Sequence, residues 1–381
     1  MEIHFLDSIN AIAAESWNSI LPDAYPFIRH EFLATLENSE SADKQSGWIP
    51  FHLIVKNNAG TLLALMPLYI KTHSWGEYVF DWSWANAYEQ NGLNYYPKFT
   101  SAIPYTPATG PRICLREGEN AYLIYQAIVH AVQQQANKLG VSSWHLLFPA
   151  EDLSQHFVKL GLPKRAATQF HWFNRDYKNF DDFLAVLSSR KRKNIKKERE
   201  KVTQQGIKHI TYSGAEISRD NWQLFHHFYH MTYLKRSGRA GYLTKAFFFD
   251  IGTVMPEAIA MSIAYKNDDP IAAALFFRGD QTLYGRYWGC LEEYEFLHFE
   301  TCYYQGIEYC IANGLQRFDA GAQGEHKIQR GFEPITTWSN HWIKHPGFRD
   351  AIENFLREET IQIENYRQSC EQHLPFKKNS S

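Results

Sequence analysis

The sequence predicts an α/β protein with mixed sheets, built as two tandem domains that share one order of elements. Composition is the first observation: of 381 residues, 44% are hydrophobic and 21% are charged, which is the balance of a globular protein. Length is the second, because it suffices for two domains of ordinary size. The third is a succession of strand-like and helix-like segments that occurs twice and predicts domains 1–176 and 177–381.

The N-terminal copy opens with an apolar alternation at Ile3 and Phe5, which is typical of a strand. The Asn57–Gly60 turn separates two further strands, and Gly140 and Gly161 stand where glycine ends a helix. The predicted order is a strand near residue 3, helices 11–20 and 30–37, strands 51–56 and 62–70, helix 120–139, strand 141–148, helix 151–160 and strand 168–173.

The C-terminal copy follows the same plan after a basic helix. Gly279-Asp280 is a tight-turn pair between two strands, and Asn313-Gly314 ends a helix. The predicted order is strand 207–212, helices 220–235 and 245–254, strands 259–266, 272–277 and 282–288, helix 299–312, strands 315–320 and 336–343, and helix 348–366.

Short stretches of letters recur at matching places in the two copies. Lys56-Asn57 followed by Ala64-Leu65 matches Lys266-Asn267 followed by Ala274-Leu275. Tyr125–Ile128 likewise matches Tyr304–Ile307 in the corresponding helix. Since both matches fall in the same order on the same predicted elements, they favour a duplicated domain.

Charge and cysteine content narrow the class of protein. The formal net charge of -2 gives no global attraction to nucleic acid or to an acidic membrane, so any polyanion contact requires a local cluster. An odd number of cysteines, five, without a C-x-x-C pair indicates a reducing compartment and no structural zinc. Without a signal pattern or an apolar run of about 20 residues, we expect a cytoplasmic protein that does not span a membrane.

Four motifs carry a resemblance to a known family. This order of elements resembles the GNAT acyltransferase fold, and two tandem copies resemble the Fem-type peptidoglycan aminoacyltransferases. The amino-acid sequence itself most resembles a bacterial family of predicted N-acyltransferases that is related to the Fem-type enzymes. The motifs are 76–84 (GEYVFDWSW), 190–199 (RKRKNIKKER), 285–290 (GRYWGC) and 318–327 (FDAGAQGEHK). The resemblance implies amide-bond formation between an acyl or aminoacyl donor and a primary amine.

The basic helix has two interpretations. Paired with its own Glu198 and Glu200, it is an ordinary solvated face. Alternatively it binds phosphate, of a nucleotide-linked acceptor or of a tRNA-linked donor. The resemblance favours the second interpretation, because a basic segment with Asn opens the second domain of Fem-type enzymes. The candidates are Arg190, Arg192, Lys193 and Asn194.

The segment 319–332 is the strongest candidate for chemistry. Small residues followed by titratable groups at a strand end are how α/β folds expose reactive side chains. Lys327 and Arg330 lie three apart, on one face of a helical turn, and the resemblance implies that the lysine meets substrate phosphate. Asp319, Glu325 and His326 are candidate catalytic groups and Gln323 a candidate binding residue. The alternative for His326 is a surface histidine with one hydrogen bond.

Strand 282–290 is the predicted acyl site. By resemblance to GNAT enzymes it splays from its neighbour, and its amides hold the acyl carbonyl. Arg286 and Trp288 share one face of the strand and Tyr287 lies on the other; all three are candidate binding residues. Glu300 in the next helix is a candidate proton acceptor, although a carboxylate near a helix N-terminus also has a purely electrostatic explanation.

The donor is left open between acyl-CoA and aminoacyl-tRNA. GNAT enzymes that use coenzyme A carry a glycine-rich loop that cradles its pyrophosphate. Here residues 291–297 (LEEYEFL) contain no glycine and three acids. This departure makes the usual mode of coenzyme A binding doubtful and keeps the tRNA-carried donor in consideration.

An aromatic segment, 75–105, is too long for a plain connection. Its rings could stack on a sugar, a base or an acyl chain and line the acceptor side, whereas Tyr78 and Phe80 read as core. Asp81 among these rings requires a partner. The candidate binding residues are Asp81, Trp82, Trp84, Tyr96 and Lys98.

Two rival functions remain. One is a non-catalytic module that binds RNA or a cell-wall precursor. The other is a metal hydrolase around His226 and His230, whose i,i+4 spacing can bind zinc but which has no adjacent acidic third ligand. We therefore expect no metal.

Overall fold

The computed structural model describes residues 1–22 and 24–377. The strand predicted over 62–70 is divided in two, 62–66 and 69–71. The strands include all those that were predicted and three short ones, 48–50, 98–101 and 114–115, that were not. In chain order, the strands are β1 (Glu2–Leu6), β2 (Trp48–Pro50), β3 (His52–Lys56), β4 (Leu62–Met66), β5 (Tyr69–Lys71), β6 (Lys98–Ser101), β7 (Cys114–Leu115), β8 (Ser143–Leu147), β9 (Lys164–Phe173), β10 (Ile207–Ser213), β11 (Ile259–Lys266), β12 (Asp269–Arg278), β13 (Thr282–Cys290), β14 (Arg317–Asp319) and β15 (Glu333–Ile343).

The helices begin and end largely where capping residues predict. Asn120 caps α4 through its side chain, and Gly140 ends it in the left-handed conformation. They are α1 (Ala14–Asn18), α2 (His30–Asn38), α3 (Trp82–Gln90), α4 (Ala121–Leu139), α5 (Glu151–Lys159), α6 (Phe180–Val186), α7 (Ser189–Gln204), α8 (Arg219–Ser237), α9 (Lys245–Val254), α10 (Leu297–Phe299), α11 (Gln305–Ala312) and α12 (Pro346–Glu371). A π-helical turn, Glu300–Tyr304, joins α10 to α11.

Three local predictions need correction. The helix predicted over 11–20 is only Ala14–Asn18, preceded by the 3-10 turn Ile9–Ala11 that the Ser8 side chain caps. The aromatic segment is not one loop, because it contains α3 and β6. Helix α6 was not predicted at all; Asn179 caps it, and only Phe183 and Leu184 of its seven residues are buried, too few to show a period.

The chain forms two compact units: unit 1 comprises Met1–Thr168 and Thr336–Asn365, and unit 2 comprises Gln169–Ile335 and Tyr366–Ser381. The predicted boundary at 176 stays a prediction. Strands β9 and β15 and helix α12 each contribute residues to both units.

Unit 1 contains two groups of strands. Strands β1, β3, β4 and β7 pair in that order, all antiparallel. Strands β2, β5, β6, β8 and β15 pair in that order, and only β6 and β8 run parallel. Helices α4 and α5 contribute apolar side chains to the hydrophobic core of this unit, and Trp144, Ile128 and Phe157 lie at its centre.

Unit 2 has the strand order β10-β11-β12-β13-β14-β9. Its pairs are antiparallel except for β13 with β14. Phe276, Phe318 and Tyr304 lie at the centre of its core, where α11 packs on the sheet. This arrangement leaves the C-terminal part of β13 next to α8, where the candidate site lies.

Candidate functional site

Strand β13 loses its strand partner on one side part-way along its length, because β14 ends at Asp319. The parallel register of the two strands runs from Thr282–Arg317 to Tyr284–Asp319 and ends there. On the other side, the register of β13 with β12 shifts between Leu275 and Phe276, which marks a bulge at this point of the strand. The segment 286–288 beyond the bulge lines a cleft.

The cleft has two lobes, which share Thr232, Arg236, Trp288 and His298. The first lobe has a volume of about 270 Å³ and is also lined by Lys235, Cys290, Glu292, Glu293, Tyr294 and Leu297. The second lobe has a volume of about 320 Å³ and is also lined by Tyr229, Tyr233, Ser237, Arg286 and Tyr287.

Helix α8 forms one wall of the cleft because it packs directly on β13. A Cβ atom at Gly289 would lie 2.2 Å from the backbone carbon of Phe228, so only glycine permits this approach. The backbone N–H of Cys290 donates to Thr232 Oγ1 at 3.0 Å. Thr232 and Arg236 are one helical turn apart and therefore face the cleft together.

A buried charge cluster adjoins the second lobe. Asp319 accepts a hydrogen bond from the Arg286 guanidinium, and its other oxygen accepts from the Gly321 N–H at 2.9 Å. His171 Nε2 lies 3.6 Å from the same oxygen. Lys327 Nζ donates to the Gly321 carbonyl at 2.6 Å. The structure thus brings Arg286, a candidate of strand β13, together with Asp319 and Lys327 of the segment 319–332.

The cluster has uneven electrostatics. Burial opposes ionisation of Asp319, but the Arg286 and His171 charges and the hydrogen bonds from Gly321 and Arg286 together outweigh it and lower the pKa of the carboxyl to about 2. Burial lowers the pKa of Lys327 to about 8 and that of His171 to about 4. Asp319 therefore stays ionised, whereas Lys327 can gain or lose a proton near neutral pH.

The 3-10 helix Glu325–Arg330 holds the other candidates of this segment. Arg330 donates to both oxygens of Glu198, at 2.8 and 3.1 Å, and lies 3.4 Å over the Phe299 ring, so its guanidinium is engaged inside unit 2. His326 Nε2 is 2.8 Å from the Tyr303 hydroxyl. The remaining two candidates, Gln323 and Glu325, are exposed; Glu325 accepts from Tyr366 at 2.6 Å.

Glu300 is not part of the buried cluster. It is buried in the π-helical turn, and its carboxylate accepts from both Arg199 and Gln305 at 2.9 Å. This ion pair fastens α7 to the π-helical turn. As a proton acceptor for a substrate, Glu300 would first have to release Arg199.

Sequence reasoning missed His298, Arg236 and Thr232. Burial lowers the pKa of His298 to about 3, which keeps the imidazole neutral, and its ring packs edge-on to Trp288 at 5.2 Å. The i,i+4 spacing of Thr232 and Arg236 is visible in the sequence, but the sequence does not indicate which face of α8 packs on β13. Gly289, with its close contact to α8, was the one readable signal.

Comparison with known proteins fits this geometry. The profile of the FemAB_like family, described as peptidoglycan biosynthesis/recognition, matches residues 8–378. The chain belongs to the FemAB_like family. No curated protein matched the chain.

Solved structures show the fold of this FemAB_like protein. FemX is 12% identical with a TM-score of 0.53, over 93% of this chain and 100% of that one. L-PGS from Bacillus licheniformis is 9% identical with a TM-score of 0.50, over 88% and 98%. A tandem GNAT protein from the clavulanic acid biosynthesis pathway is 10% identical with a TM-score of 0.51, over 91% and 99%. The predicted fold, two tandem GNAT-like domains, is confirmed.

Unit 1 of the FemAB_like chain has its own buried charge cluster. Lys98 Nζ donates to Asp81, to Glu77 at 2.8 Å and to Ser74 Oγ at 2.8 Å. The Tyr96 hydroxyl also lies 2.8 Å from Ser74 Oγ. Asp81 thus has the partner that its position among aromatic rings required, and Asp81, Tyr96 and Lys98 come together.

Titratable groups extend this cluster across the unit 1 sheet. Lys71 pairs with Lys98 in the register of β5 and β6, and burial lowers the pKa of Lys71 to about 7. Burial also raises the pKa of Glu77 to about 7. His145 and His341 stand opposite each other on β8 and β15, with their Nδ1 atoms 2.7 Å apart.

The aromatic candidates of unit 1 divide into buried and exposed ones. Trp84 is buried against His341, at 4.9 Å between ring centres, whereas Trp82 is 37% exposed. The prediction that Phe80 belongs to the core is wrong, since its side chain is 57% exposed. Its backbone carbonyl accepts from Arg165 at 2.7 Å, which fixes the chain locally without burying the ring.

The basic helix α7 is partly internal and partly a charged surface. Arg199 binds Glu300 and Glu308, Lys196 lies 3.1 Å from Asp181, and Lys191 donates to Gln329 at 3.0 Å. Within residues 1–22 and 24–377, no hydrogen bond or ion pair engages the side chains of Arg190, Arg192, Lys193 and Lys197. Asn194 is exposed among them.

Two remaining expectations concern metals and membranes. In the part of the chain that the structure describes, no three His, Cys, Asp or Glu side chains are grouped to hold a metal ion. Nor does any helix there have the length and apolarity needed to cross a bilayer.

Proposed function

We propose that this protein is an N-acyltransferase that joins an activated acyl or aminoacyl group to a primary amine. The bulge of β13 carries the proposal, because it lies at segment 286–288, which lines the cleft beside α8. The family description supports an acceptor drawn from cell-wall precursors.

The reaction needs charge stabilisation more than a nucleophilic side chain. The amine attacks the acyl carbon directly, negative charge develops on the carbonyl oxygen, and the amine loses a proton as the leaving group departs. Backbone N–H groups of segment 286–288 can stabilise that oxygen. No side chain has to become acylated.

Within this proposal the residues of the buried cluster have different roles. Asp319, ionised and bonded to Arg286, fixes the strand end and the Gly321 turn. Lys327, with its pKa lowered by burial to about 8, is the group best suited to hold or yield a proton near neutral pH. His326 and Glu325, on the same turn but exposed, are the alternatives.

The donor that the geometry favours is an aminoacyl-tRNA rather than an acyl-CoA. Residues 291–297 offer no glycine-rich loop to cradle a pyrophosphate, and the first lobe beside them presents Glu292 and Glu293 as well as Lys235 and Arg236. The side chains on α7 that no described residue engages, with Arg190, Lys193 and Lys197 at i, i+3 and i+7 along one face, suit the phosphates of an RNA strand.

The test gives the purified protein two donors in parallel. Radiolabelled aminoacyl-tRNA and acetyl-CoA are each offered with a mixture of amines that includes cell-wall precursors, and amide products are identified by mass. We expect product from the tRNA donor. R190Q/K193Q/K197Q should raise KM for that donor several-fold with little change in kcat, whereas the charge-matched K44Q/K138Q/K159Q should leave both unchanged.

Other outcomes decide against parts of the proposal. Product from acetyl-CoA alone, with thermal stabilisation by coenzyme A of several degrees, would reassign the donor. Binding of RNA or a precursor with no product from either donor would favour the rival function, a non-catalytic binding module.

A further inference from the structure

The first lobe of the cleft is lined by two charged side chains of opposite sign that no described residue binds. Arg236 comes from α8 and Glu293 from the segment after β13, so they stand on different elements around one cavity of about 270 Å³. Both are exposed, and neither makes a hydrogen bond or an ion pair with any residue among 1–22 and 24–377.

The other two charged side chains of the first lobe each make a hydrogen bond to a neutral group. Lys235 Nζ donates to the Leu291 carbonyl, and Glu292 accepts from the Tyr294 hydroxyl at 2.7 Å. These contacts hold the segment 291–294 in place. Arg236 and Glu293 are thus the cation and the anion of the lobe whose side chains no described residue engages.

Arg236, Glu293 and Cys290 line the first lobe together. Burial raises the pKa of the Cys290 thiol, Lys235 and Arg236 act against this, and Glu293 reinforces it. The charges of Arg236 and Glu293 therefore both reach the same buried atom. His298, the remaining titratable group of this wall, is neutral because burial lowers its pKa to about 3.

We infer that the first lobe binds an α-amino acid group, its ammonium against Glu293 and its carboxylate against Arg236. A ligand with both charges satisfies both side chains, whereas a ligand with one charge leaves the other side chain without a partner. The guanidinium suits a carboxylate through two parallel hydrogen bonds. Trp288, Tyr294 and Leu297 supply apolar surface for the side chain of the ligand.

This inference rests on the proposed function for the role of the ligand. There it names the class of amine substrate: an amine that carries a free carboxylate on the neighbouring carbon. Binding itself does not depend on turnover, so the two proposals can fail separately.

Three series of probes test the charge requirement. For alanine, lysine and phenylalanine, calorimetric titration of the full chain compares the free amino acid, its amide, which lacks the carboxylate, and its N-acetyl derivative, which lacks the α-ammonium. In at least one series we expect the free amino acid to bind about tenfold more tightly than either derivative.

Two variants assign each charge to its side chain. R236Q should abolish the preference for the free amino acid over the amide and retain the preference over the N-acetyl derivative. E293Q should do the reverse. R239Q and E295Q make the same changes of charge at residues that do not line the lobe, and should retain both preferences.

Several results would overturn the inference. These are equal binding of the three forms, no binding in any of the three series, or preferences that survive R236Q and E293Q. Tight binding of the free amino acid without amide product would keep this inference and remove the proposed transfer. Product formed from amines that lack a carboxylate, with KM unchanged by R236Q, would do the opposite.

Discussion

The two units each bury a cation against a carboxylate at a sheet, but they differ in what lies beside the pair. In unit 1, Lys98 bridges Asp81 and Glu77 and is fully buried, with Trp84 and Tyr88 of α3 also buried. In unit 2, the Arg286–Asp319 pair adjoins a cleft. Burial of an ion pair therefore does not identify a site by itself; in unit 2 the bulge of β13 lies beside the pair, and segment 286–288 lines the cleft there.

The largest expected effect is the loss of the central cation of unit 1. K98M leaves Asp81 and Glu77 as buried carboxylates without the ammonium that both contact, and breaking a buried pair in this way costs about 3–5 kcal/mol. Denaturant unfolding of the full chain, followed separately in each unit, should show the loss in unit 1.

K138M is the matched control for this experiment, because Lys138 is exposed in the last turn of α4. It should change stability by less than about 0.5 kcal/mol. If K98M were as mild as K138M, the unit 1 cluster would not be the closed structural counterpart of the unit 2 cluster, and a ligand role for Lys98 would have to be reconsidered.

The next effect separates two cations of unit 2 that lie three residues apart. R330M removes the partner of Glu198 and should cost about 2–3 kcal/mol, since hydrogen bonds to charged groups are lost in a mostly buried place. K327M should cost little, because burial already lowers the pKa of that lysine and a methionine keeps its apolar length.

Activity should show the opposite order. K327M should abolish transfer in a protein that unfolds at the wild-type denaturant concentration, whereas R330M should retain kcat at a temperature where it is folded. A K327M enzyme of full activity would remove Lys327 from the reaction. A stable R330M enzyme without activity would indicate that Arg330 contacts the substrate, as the sequence predicted.

The same pair of residues shows how far the sequence leads. The spacing of Lys327 and Arg330 predicted a shared helical face, and the structure has a 3-10 helix there. It could not predict that Arg330 turns to Glu198, because that contact spans 132 residues along the chain. Local patterns report periodicity and caps, whereas partners distant in sequence depend on how the elements pack.

The aromatic segment of unit 1 illustrates the same difference. Asp81 required a buried partner, and Lys98 was named as a candidate, yet nothing in the sequence indicated that these two residues form an ion pair. The contact depends on α3, whose mixture of Trp, Ser, Ala and Asn has no clear apolar stripe. In contrast, glycine ends and apolar alternation are local signals, and they located most elements of the repeat; α3, α6, β2, β6 and β7 were not predicted.

The smallest expected effect concerns pH, and it again separates the units. In unit 1 the Nδ1 atoms of His145 and His341 lie 2.7 Å apart, so one of them carries a proton and donates while the other accepts. His145 Nε2 lies 3.1 Å from the Tyr95 hydroxyl and 2.8 Å from the Ser143 hydroxyl, and His341 Nε2 lies 2.9 Å from the Ser339 hydroxyl. Protonation of the accepting Nδ1 would set two N–H groups against each other and break this hydrogen bond.

The pH dependence follows from these imidazoles. Burial lowers the pKa of His145 to about 3 and that of His341 well below its usual value. Between pH 6.5 and 5 these imidazoles bind protons in the unfolded chain but not in the folded chain. As the pH is lowered, the free energy of unfolding therefore decreases, at a rate that approaches about 1.4 kcal/mol per pH unit for each imidazole. H341Q, whose amide can still donate and accept, should reduce that slope by about one proton in the unfolding of unit 1.

The control is H130Q, at an exposed position of α4, which should leave the slope as it is in the wild type. H171Q is the counterpart in unit 2, where burial lowers the pKa of His171 to about 4 beside Asp319. It should change the slope of unit 2 and not that of unit 1. If H341Q altered neither slope, protons would already enter the unit 1 cluster in the folded state, and its contrast with the open cluster of unit 2 would disappear.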